Sequence, residues 1–126
     1  MALARCGQPY RVLRASTWEP DSAQAELQRL NPLGQIPTLV APDGSVLTES
    51  AAILIHLGLV YADSGLLPAQ DAKRGQALRA LVFIAANCYA AIGVIDYPER
   101  WCSGNDKALH ERVRAGARDR LHHSWS

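Results

Sequence analysis

Two prolines five positions apart, Pro32 and Pro37, restrict this chain more than any other feature of its sequence. Proline fixes φ near about −65°, has no N–H to donate, and pushes the residue before it out of the helical region. Asn31-Pro32 therefore ends the short helix that Ala23 to Leu30 predicts, and Pro37 opens the apolar run Thr38-Leu39-Val40-Ala41. Pro42-Asp43-Gly44 reads as a hairpin turn, with Pro presetting φ and Gly supplying a positive one. Ser45-Val46-Leu47 is the returning strand. Thr48 is expected to cap a helix that opens with Glu49-Ser50 and runs to about Tyr61, because Ile53, Leu54, Leu57 and Val60 recur at helical spacing.

The flanks follow the same logic. Met1 to Arg5 has helical composition and stops at Cys6-Gly7-Gln8-Pro9. Tyr10 to Ala15 alternates and predicts a strand. Ser16 to Ser22 is a polar connection, with Asp21 or Ser22 as the N-cap of the Ala23–Leu30 helix. Asp63 to Pro68 has the turn residues of a linker. A long helix is expected from about Asp71 to Ile92, with Leu78, Leu81, Val82, Ala85, Cys88, Tyr89 and Ile92 as its apolar stripe. Tyr97-Pro98-Glu99-Arg100-Trp101 interrupts it. A mostly polar helix begins near Asp106 and continues to the end. The first part mixes helices and strands, and the second is all helix. The division is expected at 1–65 and 66–126.

Composition removes several classes of function. A net charge of +1 over 126 residues gives no basic face for nucleic acid or an anionic membrane. No apolar run is expected to reach the roughly 18 residues that span a bilayer. The opening Met1-Ala-Leu-Ala-Arg is short and polar for a signal peptide, so a cytoplasmic address is expected. Cys6, Cys88 and Cys102 are odd in number and lack C-x-x-C spacing, which predicts neither a disulfide framework nor a metal site.

Two sites carry chemistry on the residues alone. At Ile36-Pro37 the cis form costs only about 0.5–1 kcal/mol, so a sharp turn is accessible there, although for an X-Pro bond taken alone a trans proline that merely starts a strand is the commoner form. A turn of that kind leaves the Ile36 N–H and C=O facing outward, where an extended peptide can pair with them as an added strand. At Glu49-Ser50, an unpaired N–H in the first helical turn, the helix dipole and a hydroxyl together suit a carboxylate, and the Glu49 charge suits an ammonium group. Plain helix capping accounts for the same residue types and is compatible with binding. Asn87 is polar within an apolar stripe, for which an internal helix–helix hydrogen bond is the favoured reading. Tyr97 and Trp101 are expected to pack. His56 is expected at a subunit or domain contact.

The block Asn31-Pro32-Leu33-Gly34-Gln35-Ile36-Pro37-Thr38-Leu39, the hairpin, and Leu47-Thr48-Glu49-Ser50-Ala51-Ala52-Ile53-Leu54 together resemble the second half of the glutathione S-transferase N-terminal domain. Any single piece would be weak; the block is specific. The resemblance implies an α/β thioredoxin-like N-terminal domain lacking its first strand, followed by the start of the family's all-α C-terminal domain. It implies a cis Pro37 and a glutathione site at Gln35, Ile36, Pro37, Glu49 and Ser50, with Gln35 beside the glycyl arm. Asn87 and Tyr89 fall where the family builds its second-substrate pocket, and a homodimer is implied, with glutathione as co-substrate and a hydrophobic electrophile in the full-length form. The family's thiol-activating Ser, Tyr or Cys has no counterpart here, so no catalytic residue is assigned, and Cys6, at a helix end, does not fill the role. The chain is accordingly expected to be truncated at both ends, to have little activity alone, and to expose Leu78, Leu81, Val82 and Ile92 or have them covered by a partner. A noncatalytic scaffold of the same fold is the alternative, and a glutathione-dependent isomerase or dehalogenase is a third reading.

Overall fold

Both proline steps coincide with changes of chain direction in a computed structural model, which describes residues 2–15, 23–102, 104 and 106–124. The order is α1 (Ala2–Arg5), α2 (Gln24–Leu30), β1 (Thr38–Val40), β2 (Val46–Thr48), α3 (Ser50–Val60), α4 (Asp71–Phe83), α5 (Tyr89–Asp96) and α6 (Lys107–Ser124). Contacts divide the chain into Met1–Leu78 and Arg79–Ser126.

In the first unit α1 stops as its sequence predicts. Gly7 takes φ +66°, and the Gln8 and Gly7 N–H groups donate to the Leu3 and Ala4 carbonyls at 3.2 and 3.1 Å. That pair is the Schellman arrangement, which satisfies the last orphan carbonyls of a helix. The N-cap position of α2 is Ala23, without a side-chain cap; the expected caps Asp21 and Ser22 lie outside the described residues. Tyr10 to Ala15 is not a strand. Alternation supplies only a face, and strand geometry needs a ladder partner. Among the described residues the sheet is a two-stranded ribbon of β1 and β2, and Tyr10, Val12 and Leu13 stay exposed.

The ribbon is antiparallel, with Thr38 opposite Thr48, Leu39 opposite Leu47 and Val40 opposite Val46. At one end the turn closes through Ala41 N–H to Ser45 C=O and Gly44 N–H to Ala41 C=O, with Gly44 at φ +85°. The opposite end leads into α3, whose Ile53 and Leu57 are buried. Gly58 lets the following linker close on this helix: a Cβ there would lie 2.5 Å from Leu67 Cγ, and Leu67 is itself buried. Arg5 Nε–H donates to the Ser64 carbonyl at 2.8 Å, tying α1 to the same linker.

In the second unit α5 packs on α6. Asp106 Oδ1 caps α6 by accepting from the Ala108 and Leu109 N–H groups at 2.9 and 3.2 Å. Arg114 Nε–H donates to Ile95 C=O at 3.0 Å, which satisfies a carbonyl in the last turn of α5. The expected long helix forms, as one helical run from Asp71 to Asp96. Ile84–Cys88 is one π-helical turn between α4 and α5. The helical run Asp71–Asp96 is 26 residues, long and apolar enough to cross a membrane by length and composition, which corrects the expectation that no such stretch exists. Core helices of soluble proteins pass the same test. Val82 and Ile92 are exposed, as expected for this stripe, whereas Leu78 and Leu81 are half-buried.

Candidate functional site

The register decides which residues can cooperate. Because Thr38 pairs with Thr48, Gln35-Ile36-Pro37 and Glu49-Ser50 both continue from the same end of the ribbon. The Ile36–Pro37 peptide is cis. Ile36 is 70% exposed. Among the described residues neither its N–H nor its C=O has a partner, so both are free to pair with a ligand backbone.

The loop that presents Ile36 is held from behind. Asn31 is 5% exposed, the buried polar residue of the unit. Its Nδ2 donates to the Gln35 carbonyl at 2.9 Å and to Thr38 Oγ1 at 3.3 Å. Its Oδ1 accepts from the Leu33 N–H at 3.2 Å. Thr38 Oγ1–H in turn donates to the Gln35 carbonyl at 2.9 Å. The side-chain amide is thus fully used, as burial of a polar group requires. In the sequence Asn31 ends α2 and opens the Asn31–Leu39 block, with no binding role of its own. A lone Asn before Pro gives no signal that its amide folds back over the next seven residues.

Across the ribbon, Glu49 is the N-cap of α3 and sits at φ 66°, ψ 116°, with no side chain capping the helix. Thr48, the expected cap, ends β2 instead. A positive φ outside glycine costs of order 1–3 kcal/mol and persists where the surroundings fix it, a situation concentrated at ligand sites. The chain enters α3 by this kink, so Ser50 is the first helical residue and is half-buried. Ile53 N–H already bonds Glu49 C=O at 3.0 Å, which leaves the N–H groups of Ser50, Ala51 and Ala52 as first-turn donors without a helical acceptor. Uncapped donors and the positive end of a helix dipole are features that suit a carboxylate.

The remaining sequence candidates lie in the second unit. Asn87 is exposed and donates within its own helix, Nδ2 to Phe83 C=O at 3.3 Å across the π turn. In place of the expected helix–helix bond the amide bonds locally, to a carbonyl four residues back in its own helix. Tyr89 is exposed, and so are Tyr97 and Trp101, which were expected to pack. Arg100 covers the Tyr97 ring at 4.2 Å instead. The three thiols are free, and the described residues hold no group of His, Cys, Asp and Glu arranged for a metal. In the first unit Cys6 ends α1, away from the helix N-terminal position that activates a thiol.

Comparison with known proteins bears on the family and the fold. Residues 1–59 match the model of the glutathione S-transferase N-terminal domain. The chain is 35% identical over 106 residues to the uncharacterized GST-like protein YncG of Escherichia coli (strain K12), which covers 83% of this chain and 51% of the relative. It is 39% identical over 67 residues to a probable maleylacetoacetate isomerase of Caenorhabditis elegans, covering 53% of this chain and 30% of that protein. It superposes on a glutathione transferase homolog from sulfitobacter, solved with bound glutathione, with a TM-score of 0.77 at 21% identity over 98% of this chain and 58% of that one. The fold is thus a thioredoxin-like N-terminal domain followed by the start of a helical domain. The chain spans about half the length of YncG.

Proposed function

We propose that this chain, which belongs to the glutathione S-transferase family, binds glutathione at the end of its β-ribbon and serves a transferase in the full-length form. Ile36 N–H and C=O pair with the backbone of the cysteinyl residue as an added strand. The first-turn N–H groups of α3 and the Ser50 hydroxyl take the γ-glutamyl carboxylate, and Glu49 takes its ammonium group. Gln35 flanks the glycyl arm, and Pro37 sets the wall beside it. The observation that supports the reading is the register of Thr38 with Thr48, which brings an unpaired backbone segment and an uncapped helix start to one end of one ribbon.

The reaction served is attack of the glutathione thiolate on an electrophilic carbon. A sulfur–carbon bond forms as the leaving group departs with its electron pair. The contribution of these residues is to hold the tripeptide in one orientation, converting an encounter into a positioned reaction. No residue of this chain is assigned to lower the thiol pKa, so little turnover is expected from the chain alone. A second-substrate pocket that includes Asn87 and Tyr89, a hydrophobic electrophile, a homodimer, a cytoplasmic address and a division into 1–65 and 66–126 belong to the same proposal.

Calorimetric titration of the purified chain with glutathione, beside retention on immobilised glutathione, tests it. Saturable one-site binding is expected, lost when the γ-glutamyl residue is removed from the ligand. Absence of binding and of retention overturns the proposal and leaves a noncatalytic scaffold of the same fold.

A further inference from the structure

We infer that Asn31 is a positioning residue for the proposed glutathione cradle, meaning the Gln35-Ile36-Pro37 loop and the start of α3 at one end of the ribbon, and that it acts through the Gln35 carbonyl to set the direction of the Ile36 N–H; the inference rests on the glutathione reading for its function but not for its geometry. A peptide unit is planar, and in its trans form the N–H points opposite to the C=O. The Gln35–Ile36 peptide is trans, since the cis bond of this loop is the next one. Its carbonyl is held by two donors, Asn31 Nδ2 at 2.9 Å and Thr38 Oγ1 at 2.9 Å. Holding the oxygen inward holds the Ile36 N–H outward, toward the exposed side where Ile36 itself lies.

The same amide coordinates the whole loop. Asn31 Nδ2 also donates to Thr38 Oγ1 at 3.3 Å, so the hydroxyl that reaches Gln35 is itself oriented. Asn31 Oδ1 holds the Leu33 N–H, and its backbone carbonyl accepts from Gly34 N–H at 2.8 Å. Asn31 is anchored in turn by its own N–H, which donates to Leu27 C=O at 2.7 Å. One buried side chain thereby connects the end of α2 to the first residue of β1. Only a neutral amide does this: it donates twice and accepts once from the same planar group. A carboxylate of the same shape keeps the bond from Leu33 but opposes the Gln35 carbonyl oxygen with another acceptor.

The test uses the full chain with Asn31→Asp, Thr38→Val and Thr38→Ser. Glutathione affinity is measured by titration calorimetry, and the orientation of the Ile36 N–H by its residual dipolar coupling without ligand. Asn31→Asp is expected to weaken glutathione binding about tenfold or more, with a cooperative thermal transition retained and the Ile36 coupling changed. Thr38→Val, which removes one of two donors to Gln35, is expected to weaken it about threefold, and Thr38→Ser, which keeps the hydroxyl, to stay within about twofold of the parent chain. A folded Asn31→Asp chain with unchanged affinity and coupling overturns the inference. Should that variant fail to fold, the threonine pair decides it: an unchanged coupling in Thr38→Val overturns the brace, and a change restored in Thr38→Ser supports it. If the parent chain does not bind glutathione, the functional proposal fails, and the brace is judged on the dipolar couplings alone.

Discussion

The two ends of the β-ribbon are built by opposite means. At the turn, everything is local. Asp43 Oδ1 accepts from both the N–H and the hydroxyl of Ser45, two residues away, at 2.9 and 2.7 Å, and Gly44 supplies the positive φ. At the cradle, the parts come from the end of α2, the start of β1 and the start of α3, joined by a buried amide and by strand register. A positive φ occurs at both ends, on glycine at the turn and on Glu49 at the cradle. At the turn it costs nothing, because Gly44 has no Cβ; at the cradle it is imposed on a residue that resists it. The turn is made by its own residues, whereas the cradle is made by what surrounds it.

The contrast can be broken most strongly through α3, which delivers Glu49 and Ser50. In Gly58→Ala the new Cβ meets Leu67 Cγ at 2.5 Å and Cδ1 at 2.9 Å. Replacing a helical Gly by Ala gains up to about 1 kcal/mol in propensity, and overpacking costs about 1–3 kcal/mol, so a net loss is expected. Urea unfolding measures it. Hydrogen exchange then decides the comparison: protection of the Ile53 amide, which starts the α3 ladder at Glu49, should fall more than protection of the Ala41 amide in the turn. Equal loss at both sites would mean that the two ends share one support.

A smaller effect is expected from Gly44→Ala. Nothing lies within 4 Å of the added methyl, so the cost is the φ of +85° alone, about 1 kcal/mol. Glutathione affinity should be unchanged, because the turn is at the far end of the ribbon. A drop in affinity matching that of Asn31→Asp would show that the two ends of the ribbon are not independent.

The smallest effect is electrostatic. The Asp43 carboxyl is held below its ordinary value of 3.8, chiefly by the Ser45 hydroxyl, then by the Ser45 N–H, with His56 a minor contributor. A carboxyl lowered on folding contributes stability above 3.8 that is lost as pH falls through its folded value. Asp43→Asn should therefore flatten the acid side of a plot of thermal midpoint against pH, only slightly, because the group is fully exposed to solvent. An unchanged acid limb in the variant would show that the bond to Ser45 is not formed in solution.

Much of this was legible in the sequence, and the reason differs by element. The stops at Gly7 and Pro32, the Pro-Asp-Gly turn and the apolar spacing of α3 are local codes read within a few residues. The block from Asn31 to Leu54 was specific enough to name the family. Tyr10 to Ala15 failed because alternation cannot supply a pairing partner. The long helix forms where its apolar spacing put it, but nothing in its composition marks where a π turn opens within it, at Ile84–Cys88. Thr48 failed as a cap because strand pairing with Thr38 claimed it first.

What the sequence determined by itself is thus the order of elements from α2 to α3, the position of the turn and the residue types at the cradle, since each depends on φ preference, spacing or composition over a short span. The tertiary structure decided three further things: that the cradle's two halves share one end of the ribbon, that Glu49 takes a strained φ, and that Asn31 closes over Gln35 and Thr38. Those outcomes depend on which groups are buried together. A buried amide must find every one of its partners, and only the folded chain determines which partners are in reach.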